Sequence, residues 1–561
     1  MKHLLLAAAL FGCLTSAAET PWKPAGDRIK TRWAAEVDPA APLPEYPRPT
    51  LVRSRWRNLN GLWNYSLTPA GAAAPGEAQG RILVPFPIES SLSGVQRGVT
   101  PQEALWYETT FEVPAAWRRG NDVLLHFGAV DWRAEVYVND LLVGSHTGGY
   151  TPFSFDITPA LSAKGVQKLT VKVTDSTDKG FQPHGKQVLE PHGIWYTPVT
   201  GIWQTVWIEP VPAANRIEGI TTRSDIRAGV LSVDVKIART GSDRVCVTLS
   251  ADGKTLAERS SMAGQPVHLA VEHPRLWSPD DPYLYDLTVT LVRDGRVIDR
   301  AESYAALREI ATGRDANGIE RMTLNGRPLF HFGPLDQGWW PDGLYTAPTD
   351  EALLYDIRFT KQLGFNMIRK HIKVEPERWY WHCDREGILV WQDMPSGDMS
   401  TGKWEPHRYG AGTDAARSEE SADWTKRRDP SRLVNPASGG NYRDCGDMLD
   451  LHNYPEPKMY LYDAKRVNVL GEYGGIGLPV EGHLWSADKN WGYIEFKTRE
   501  DVTDRYVTYA EKLMELVERG FSAAVYTQTT DVEGEVNGLV TYDREVVKVD
   551  VDRLLVRSLD L

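Results

Sequence analysis

Residues 350–371 read DEALLYDIRFTKQLGFNMIRKH: an amphipathic helix, a glycine at position 364, then an apolar strand that ends in Arg369, Lys370 and His371. This is one helix-and-strand unit of a parallel sheet, and the pattern recurs on both sides of it. A short strand, LFHFG, precedes it at 329–333. After it come ERWYWHCDREGILVWQDMP (377–395), SRLVNPASG (431–439), DMLDLHNYP (447–455), KRVNVLGEYGG (465–475) and FSAAVYTQTTDVEGE (521–535). Each run ends in polar or charged residues. Seven such strands between 329 and 527 predict a (β/α)8 TIM-type barrel whose C-terminal strand ends build the site. The stretch where an eighth belongs, PSGDMSTGKWEPHRYGAGTDAARSEESADWTKRRDP at 395–430, has no apolar run that could form a buried parallel strand.

Ahead of the barrel the periodicity changes from helical to alternating. VLLHFG (123–128), AEVYVN (134–139), KLTVKVTD (168–175) and QTVWIEP (204–210) are separated by Gly, Pro and Asn/Asp turns, with Asn139-Asp140 at a hairpin. They predict a β-sandwich over 19–213. LSVDVKIA (231–238), RVCVTLSAD (244–252) and the run from Tyr283 to Tyr304 predict a smaller, immunoglobulin-like sandwich over 214–311, with the barrel filling 312–561. Neither β region holds a convergent set of carboxylates or histidines, which makes both support or ligand-binding modules.

A chain of 561 residues exceeds one hydrophobic core and fits about three domains. Its net charge of −12 argues against nucleic acid or an anionic membrane as main partner. MKHLLLAAALFGCLTSAAET has a positive start, an apolar core and small residues Ser16 and Ala18, as a secretory signal over 1–18 does, so export to the periplasm or beyond is expected. The alternative is a lipoprotein signal that lipidates Cys13. Cys246, Cys383 and Cys445 are too few and too scattered for a disulfide framework or a metal cluster, and read as buried, inert thiols. No metal or other cofactor is expected.

The strand ends carry the chemistry. Glu472 follows VNVLG and precedes Tyr473 and two glycines; Asp393 ends ILVWQD; Arg369 and His371 end NMIRKH; His452 ends DLH; Asp531 and Glu533 follow the last strand. Two or more carboxylates converging with Arg, His and aromatic residues make a glycosidase site, in which one carboxylate attacks and another gives and takes a proton. Asp393 or Glu533 taken alone also fits a satisfied buried ion pair. The chain holds 20 Trp and 23 Tyr, and Trp339, Trp340, Tyr345, Trp391, Tyr454 and Tyr526 fall near strand ends. Trp340 and Tyr526 are expected at the sugar; Trp56, Trp63 and Trp277 are expected in the cores.

With these residues in view, the chain resembles glycoside hydrolase family 2, the β-galactosidases, β-glucuronidases and β-mannosidases, in its secreted bacterial branch. The resemblance runs through WRNLNGLWNYSL, LHFGAVDWRAEVYVND, GIWQTVWIE, LWSPDDPYLYDLTV, GFNMIRKHIKVEPERWYWHCDREGILVWQDMPSGD, NVLGEYGG and AVYTQTTDVEGEVNG. It implies a galactose-binding-like jelly roll, an immunoglobulin-like sandwich and a catalytic barrel working by the retaining mechanism. It further implies that Glu472 is the nucleophile and that Arg369, His371 and Asp393 hold the substrate; His452 is expected to bind substrate on its strand-end position alone. One part departs from the family. Its acid/base is the Glu of an Asn-Glu pair ending strand four, and this chain contains no Asn-Glu dipeptide. A loss of about one βα unit, ~30–45 residues, accounts for this and predicts a barrel without its fourth strand. The strands flanking that gap would lose a pairing partner and expose backbone and apolar surface. Glu419 and Glu420 lie in the shortened segment, in a polar helix-like stretch that cannot hold a carboxylate at the ~5–5.5 Å of a retaining pair. The expected function is an exo-β-glycosidase of O-glycosyl bonds with its acid/base absent; the alternative is a non-catalytic carbohydrate-binding protein or inactive remnant.

Overall fold

A computed structural model describes residues 21–163, 165–180, 182–396, 415–440 and 442–560. The expected signal segment, Cys13 and the middle of the strand-free stretch lie outside these residues.

The first domain is a two-sheet sandwich. Gly80–Val84, Gly61–Pro69, Glu103–Phe111, Gln167–Thr174, Arg133–Val138 and Leu141–Thr147 form one antiparallel sheet in that order. The other is Arg57–Asn58, Val206–Pro212, Asn121–Phe127 and Phe153–Asp156. Strict alternation along Gln167–Thr174 turns Leu169, Val171 and Val173 inward to meet Trp63, Leu105, Leu125 and Phe127. The Asn139-Asp140 turn forms as expected: both residues have positive φ, 50° and 64°, and pair Val138 with Leu141 across a tight hairpin. Trp63 and Trp277 are buried, whereas Trp56 is half-buried against the edge of Tyr46.

In the second domain, Ile217–Asp225, Val230–Ile237 and Val267–Ala270 face Lys254–Met262, Arg244–Ala251, Tyr285–Arg293 and Arg296–Ala305 across a core of Leu231, Val233, Val247, Leu249, Leu287 and Val289. Seven antiparallel strands in two sheets make the immunoglobulin-like arrangement. Of the cysteines, only Cys383 is fully buried; Cys246 and Cys445 are half-buried, and all three are free thiols.

The third domain is an open half-barrel. Its parallel strands stand in the order Leu389–Gln392, Met367–Lys370, His331–Asp336, Phe521–Thr527, Val467–Gly474 and Met448–His452. There are six among the described residues, not seven, because SRLVN does not pair as a strand. Val434 donates its N–H to the Asp447 carboxylate (2.6 Å) and accepts one bond from the Asp447 N–H (2.9 Å), while Pro430 and Pro436 bracket the segment. A side chain caps this segment where a ladder would run. Asp350–Gln362, Glu377–Glu386, Arg499–Glu518 and Val551–Asp560 are the helices packed on the barrel strands. The first begins at Thr349, whose hydroxyl accepts from the Ala352 N–H, with Asp350 and Glu351 in its first turn.

Inside the half-barrel, Leu335, Met367, Leu389 and Val525 pack with Trp277 from the second domain, and Met448, Val469 and Ala523 pack with Met322. Trp391 touches both groups, so one indole spans the interior between them. At the seam the helix Ala415–Arg428 leaves Trp424 55% exposed, and Met394, just past the edge strand, is 53% exposed. Glu419 and Glu420 are exposed on the same helix. No helix among the described residues is long and apolar enough to cross a membrane.

Candidate active site

Glu472 reaches the barrel mouth because of what surrounds it in the chain. The ladder to Phe521–Thr527 slips between Leu470 and Tyr473, which takes the two intervening residues, Gly471 and Glu472, off the regular pleat. Gly471 makes room: its N–H donates to Asp450 Oδ1 (2.8 Å), and a Cβ there would lie 2.1 Å from the same oxygen. Gly475, at φ 65°, passes under Tyr493, where a Cβ would meet the ring at 2.3 Å. Tyr493 in turn lies flat on Tyr454, with centroids 3.7 Å apart.

The carboxylate is held from three sides. Tyr454 donates its hydroxyl to Oε2 (2.9 Å), His452 Nδ1 lies 3.2 Å from the same oxygen, and Arg369 Nη1 is 3.3 Å from Oε1. Arg369 also grips both oxygens of Asp393 through Nε (3.2 and 3.0 Å) and donates to the Gly471 carbonyl (2.9 Å). His371 Nδ1 stands 2.8 Å from Asp393 Oδ2. Burial alone would raise the Glu472 carboxyl, but the positive charges of His452 and Arg369 hold it well below the usual carboxylate range. Burial works against a charged His452, yet Glu472 and Asp450 outweigh it and lift the imidazole to about 9, so it is an imidazolium at neutral pH. His371 is the opposite case: burial, joined by the charge of Lys186, pushes it down to about 4 despite Asp393. The neutral ring therefore carries its proton on Nδ1, donating to Asp393, and keeps Nε2 as an acceptor. The arrangement holds a fully ionised, oriented carboxylate.

Glu472, Arg369, His371, Asp393 and His452 thus come together. Trp340 and Tyr526 do not. Trp340 is 2% exposed, edge-on to Trp33 and covered by the Arg544 guanidinium 3.9 Å from its ring. It plugs the junction between the first strand's loop and the segment around residue 33. Tyr526 is fully buried among Tyr473, Tyr506 and Tyr509, because period two along Phe521–Thr527 sends Ala524 and Tyr526 toward the helices while Val525 packs inside. Trp339 and Tyr345 pack against each other in the domain interface, and Trp391 donates to His331 inside the barrel. Of the aromatic candidates, Tyr454 is the one that touches Glu472. Asp531 pairs with Lys548 (2.6 Å), and Glu533 accepts the Thr197 N–H of the first domain (2.8 Å), so both are structural.

Two site residues escaped the sequence reading, Lys186 and Glu535. Lys186 belongs to the first domain, where 182–199 leaves the sandwich and crosses to the barrel: His184 and Gly185 donate their N–H groups to the Ser396 carbonyl (2.9 and 3.0 Å). Its ammonium feels Glu535, Glu472, Arg369 and Asp393. Glu535 sits beyond the last strand and accepts from Tyr196 Oη (2.5 Å) and Asn537 Nδ2 (3.0 Å). The one sequence signal for Lys186 was a polar, glycine-bearing stretch without alternation, HGKQ, inside a β domain.

Comparison with known proteins follows the same lines. Residues 81–212 match the model of the glycosyl hydrolases family 2 sugar binding domain, and residues 215–308 match the model of glycosyl hydrolases family 2. A β-galactosidase of Bacteroides ovatus is 29% identical over 394 residues, and a β-glucuronidase of Paenibacillus borealis 25% identical over 376. These alignments cover 64% and 63% of this chain but 43% and 60% of the two relatives, so the chain spans less than two thirds of their length. Among solved structures, a Bifidobacterium dentium β-glucuronidase complexed with coumarin-3-O-glucuronide superposes with a TM-score of 0.71 at 18% identity, covering 91% of this chain and 98% of that one. A Ruminococcus gnavus β-glucuronidase gives 0.70 at 18%, covering 92% and 99%. Fold and sequence agree: the two β domains match models of the glycosyl hydrolases of family 2, and the whole chain shares the fold of the β-glucuronidases to which it is similar.

Proposed function

We propose that this protein is a retaining β-glycosidase in ancestry and site architecture, with Glu472 as the nucleophile and Arg369, His371, Asp393 and His452 around the bound sugar. The observation that carries this reading is the ionised Glu472, oriented by Tyr454, His452 and Arg369 at the C-terminal end of a barrel strand. The relatives named above, β-galactosidases and β-glucuronidases, support O-glycosyl hydrolysis as the reaction class.

A second reading, a carbohydrate-binding protein without turnover, is favoured by one specific feature. Between Leu389–Gln392 and Met448–His452 no strand is present among the described residues, and these two form the edges of the sheet. That is the place of the family's acid/base. Glu535, a further buried carboxyl near Glu472, has one donor on each oxygen, Tyr196 Oη and Asn537 Nδ2. Loss of a positioned general acid typically costs about 10²–10⁴-fold in rate, more when the leaving group must be protonated to depart.

The test is a pair of substrates. A dinitrophenyl β-glycoside, whose leaving group departs without an acid, should be turned over with azide accelerating release of the sugar, and Glu472→Gln should abolish it. The matching methyl glycoside should be hydrolysed at least a hundredfold more slowly. Efficient hydrolysis of the methyl glycoside would refute the missing-acid reading, and no reaction with either substrate would favour the binding protein.

A further inference from the structure

We propose that Lys186, carried by the first domain, is a sugar-binding residue of the barrel site, donating from its ammonium to an oxygen of the ligand. The proposal rests on the glycoside-binding reading above and deepens it, because it makes the site a joint product of two domains.

Four lysines are buried among the described residues: Lys186, Lys370, Lys373 and Lys548. Three of them are fully occupied. Lys370 donates to Asp336 (2.7 Å) and Glu375 (2.8 Å). Lys373 pairs with Glu375 (2.8 Å) and donates to the carbonyls of Gly338 (2.6 Å) and Tyr345 (2.9 Å). Lys548 donates to Asp531 (2.6 Å) and to the carbonyls of Leu478 (3.1 Å) and Val536 (2.8 Å). Lys186 is 9% exposed and makes no hydrogen bond or ion pair with a described residue; its nearest aromatic neighbour is the Tyr196 ring, 5.7 Å from the ammonium. A buried ammonium without acceptors is costly, and proteins pair such groups almost without exception.

The backbone that delivers it is tightly held. The Lys186 carbonyl accepts from the Tyr196 N–H (2.9 Å), and the two preceding N–H groups rest on Ser396, three residues beyond Asp393. Gly185, at φ 61°, packs so close that a Cβ would lie 2.8 Å from the Ile372 carbonyl, next to His371. The charged groups whose fields act on the ammonium are Glu535, Glu472, Arg369 and Asp393, which stand at four different places in the barrel. Three donors of Lys186 therefore stand unused amid the groups proposed to hold a glycoside. A sugar hydroxyl or a uronate carboxylate supplies the acceptor they lack; the shared chemistry is an oxygen lone pair.

Binding of methyl β-D-galactopyranoside and methyl β-D-glucuronide to the full chain tests this, by calorimetry or saturation-transfer NMR, with Lys186→Met, Lys186→Arg and Arg369→Met alongside. The expectation is a roughly ten- to hundredfold loss of affinity in Lys186→Met, partial rescue in Lys186→Arg, and an unfolding midpoint no lower than that of the parent, since an unpaired buried charge has been removed. A loss confined to the glucuronide identifies the acceptor as a carboxylate, and a loss for both probes identifies a ring hydroxyl. Binding in the parent should weaken as pH rises through the lysine's depressed range, a limb that Lys186→Arg abolishes. Binding that Arg369→Met destroys but Lys186→Met leaves intact overturns the role of Lys186 alone. Absence of saturable binding of either probe to the parent overturns the glycoside-site reading and this proposal with it.

Discussion

Arg369 makes contacts that no neighbour could replace. Its guanidinium holds Asp393 by Nε and both the Gly471 carbonyl and Glu472 by Nη1, and it is itself almost wholly buried. Replacing it with methionine would leave Asp393 and Glu472 as buried carboxylates short of their main counter-charge. That class of change typically costs about 3–5 kcal/mol. Urea unfolding of Arg369→Met should therefore show a midpoint well below the parent's, with the loss falling on the barrel transition.

At the scale of elements, the contrast lies between strands with two neighbours and strands with one. Phe521–Thr527 runs between His331–Asp336 and Val467–Gly474, whereas Leu389–Gln392 and Met448–His452 each have a single strand partner. Amides on the unpartnered sides of the two edge strands should exchange with solvent at least about tenfold faster than those of Phe521–Thr527, read by hydrogen exchange with mass spectrometry. Equal protection would mean that something covers the seam. The same elements show what was legible in the sequence. Helix-and-strand periodicity and the glycine at 364 marked the barrel units, because both signals are local. SRLVN looked equivalent, but whether an apolar run becomes a strand depends on having a neighbour to pair with, and here the neighbour is missing. The site carboxylate and its charged partners were legible as strand ends. Trp340 and Tyr526 were misplaced because a position near a strand end says nothing about which way the ring points.

For the whole molecule, charge regulation runs in both directions below about pH 6.5 and mainly in one direction above it. Burial lifts Asp531 to about 6, Glu533 to about 7 and Glu89 to about 8, and the carboxylates around His452 lift it to about 9 against the cost of burial. A group whose folded pKa is raised binds more protons folded than unfolded, so its contribution is fully present below its unfolded value and fades as pH climbs through the folded one. Opposing shifts are as large: Glu209 is held down to about 2 by His126, Arg48 and Arg53 against its own burial, which acts below the ordinary carboxylate range, and burial pushes His331 and His371 down to about 4, so their contribution grows as pH rises from about 4 to the ordinary histidine value. Stability should therefore stay roughly level between about pH 4.5 and 6.5, where the two sets offset each other, and decline from about pH 6.5 toward 9, followed as the thermal midpoint across a buffer series. His452→Gln should flatten the stretch between about pH 6.5 and 9. A midpoint that rises over this range would contradict the assigned directions. Lys186 escaped the sequence reading at this scale too, since it approaches Glu472 only once two domains, 286 residues apart in the chain at that point (472 minus 186), are docked.

The grip of Arg369 on Asp393, Gly471 and Glu472 ties the second, third and penultimate barrel strands together across the interior. The polar groups suited to holding a sugar are thus also the rivets of an incomplete cylinder. Folding alone calls for them, so their presence here records the mechanical needs of the scaffold as faithfully as it records any chemistry.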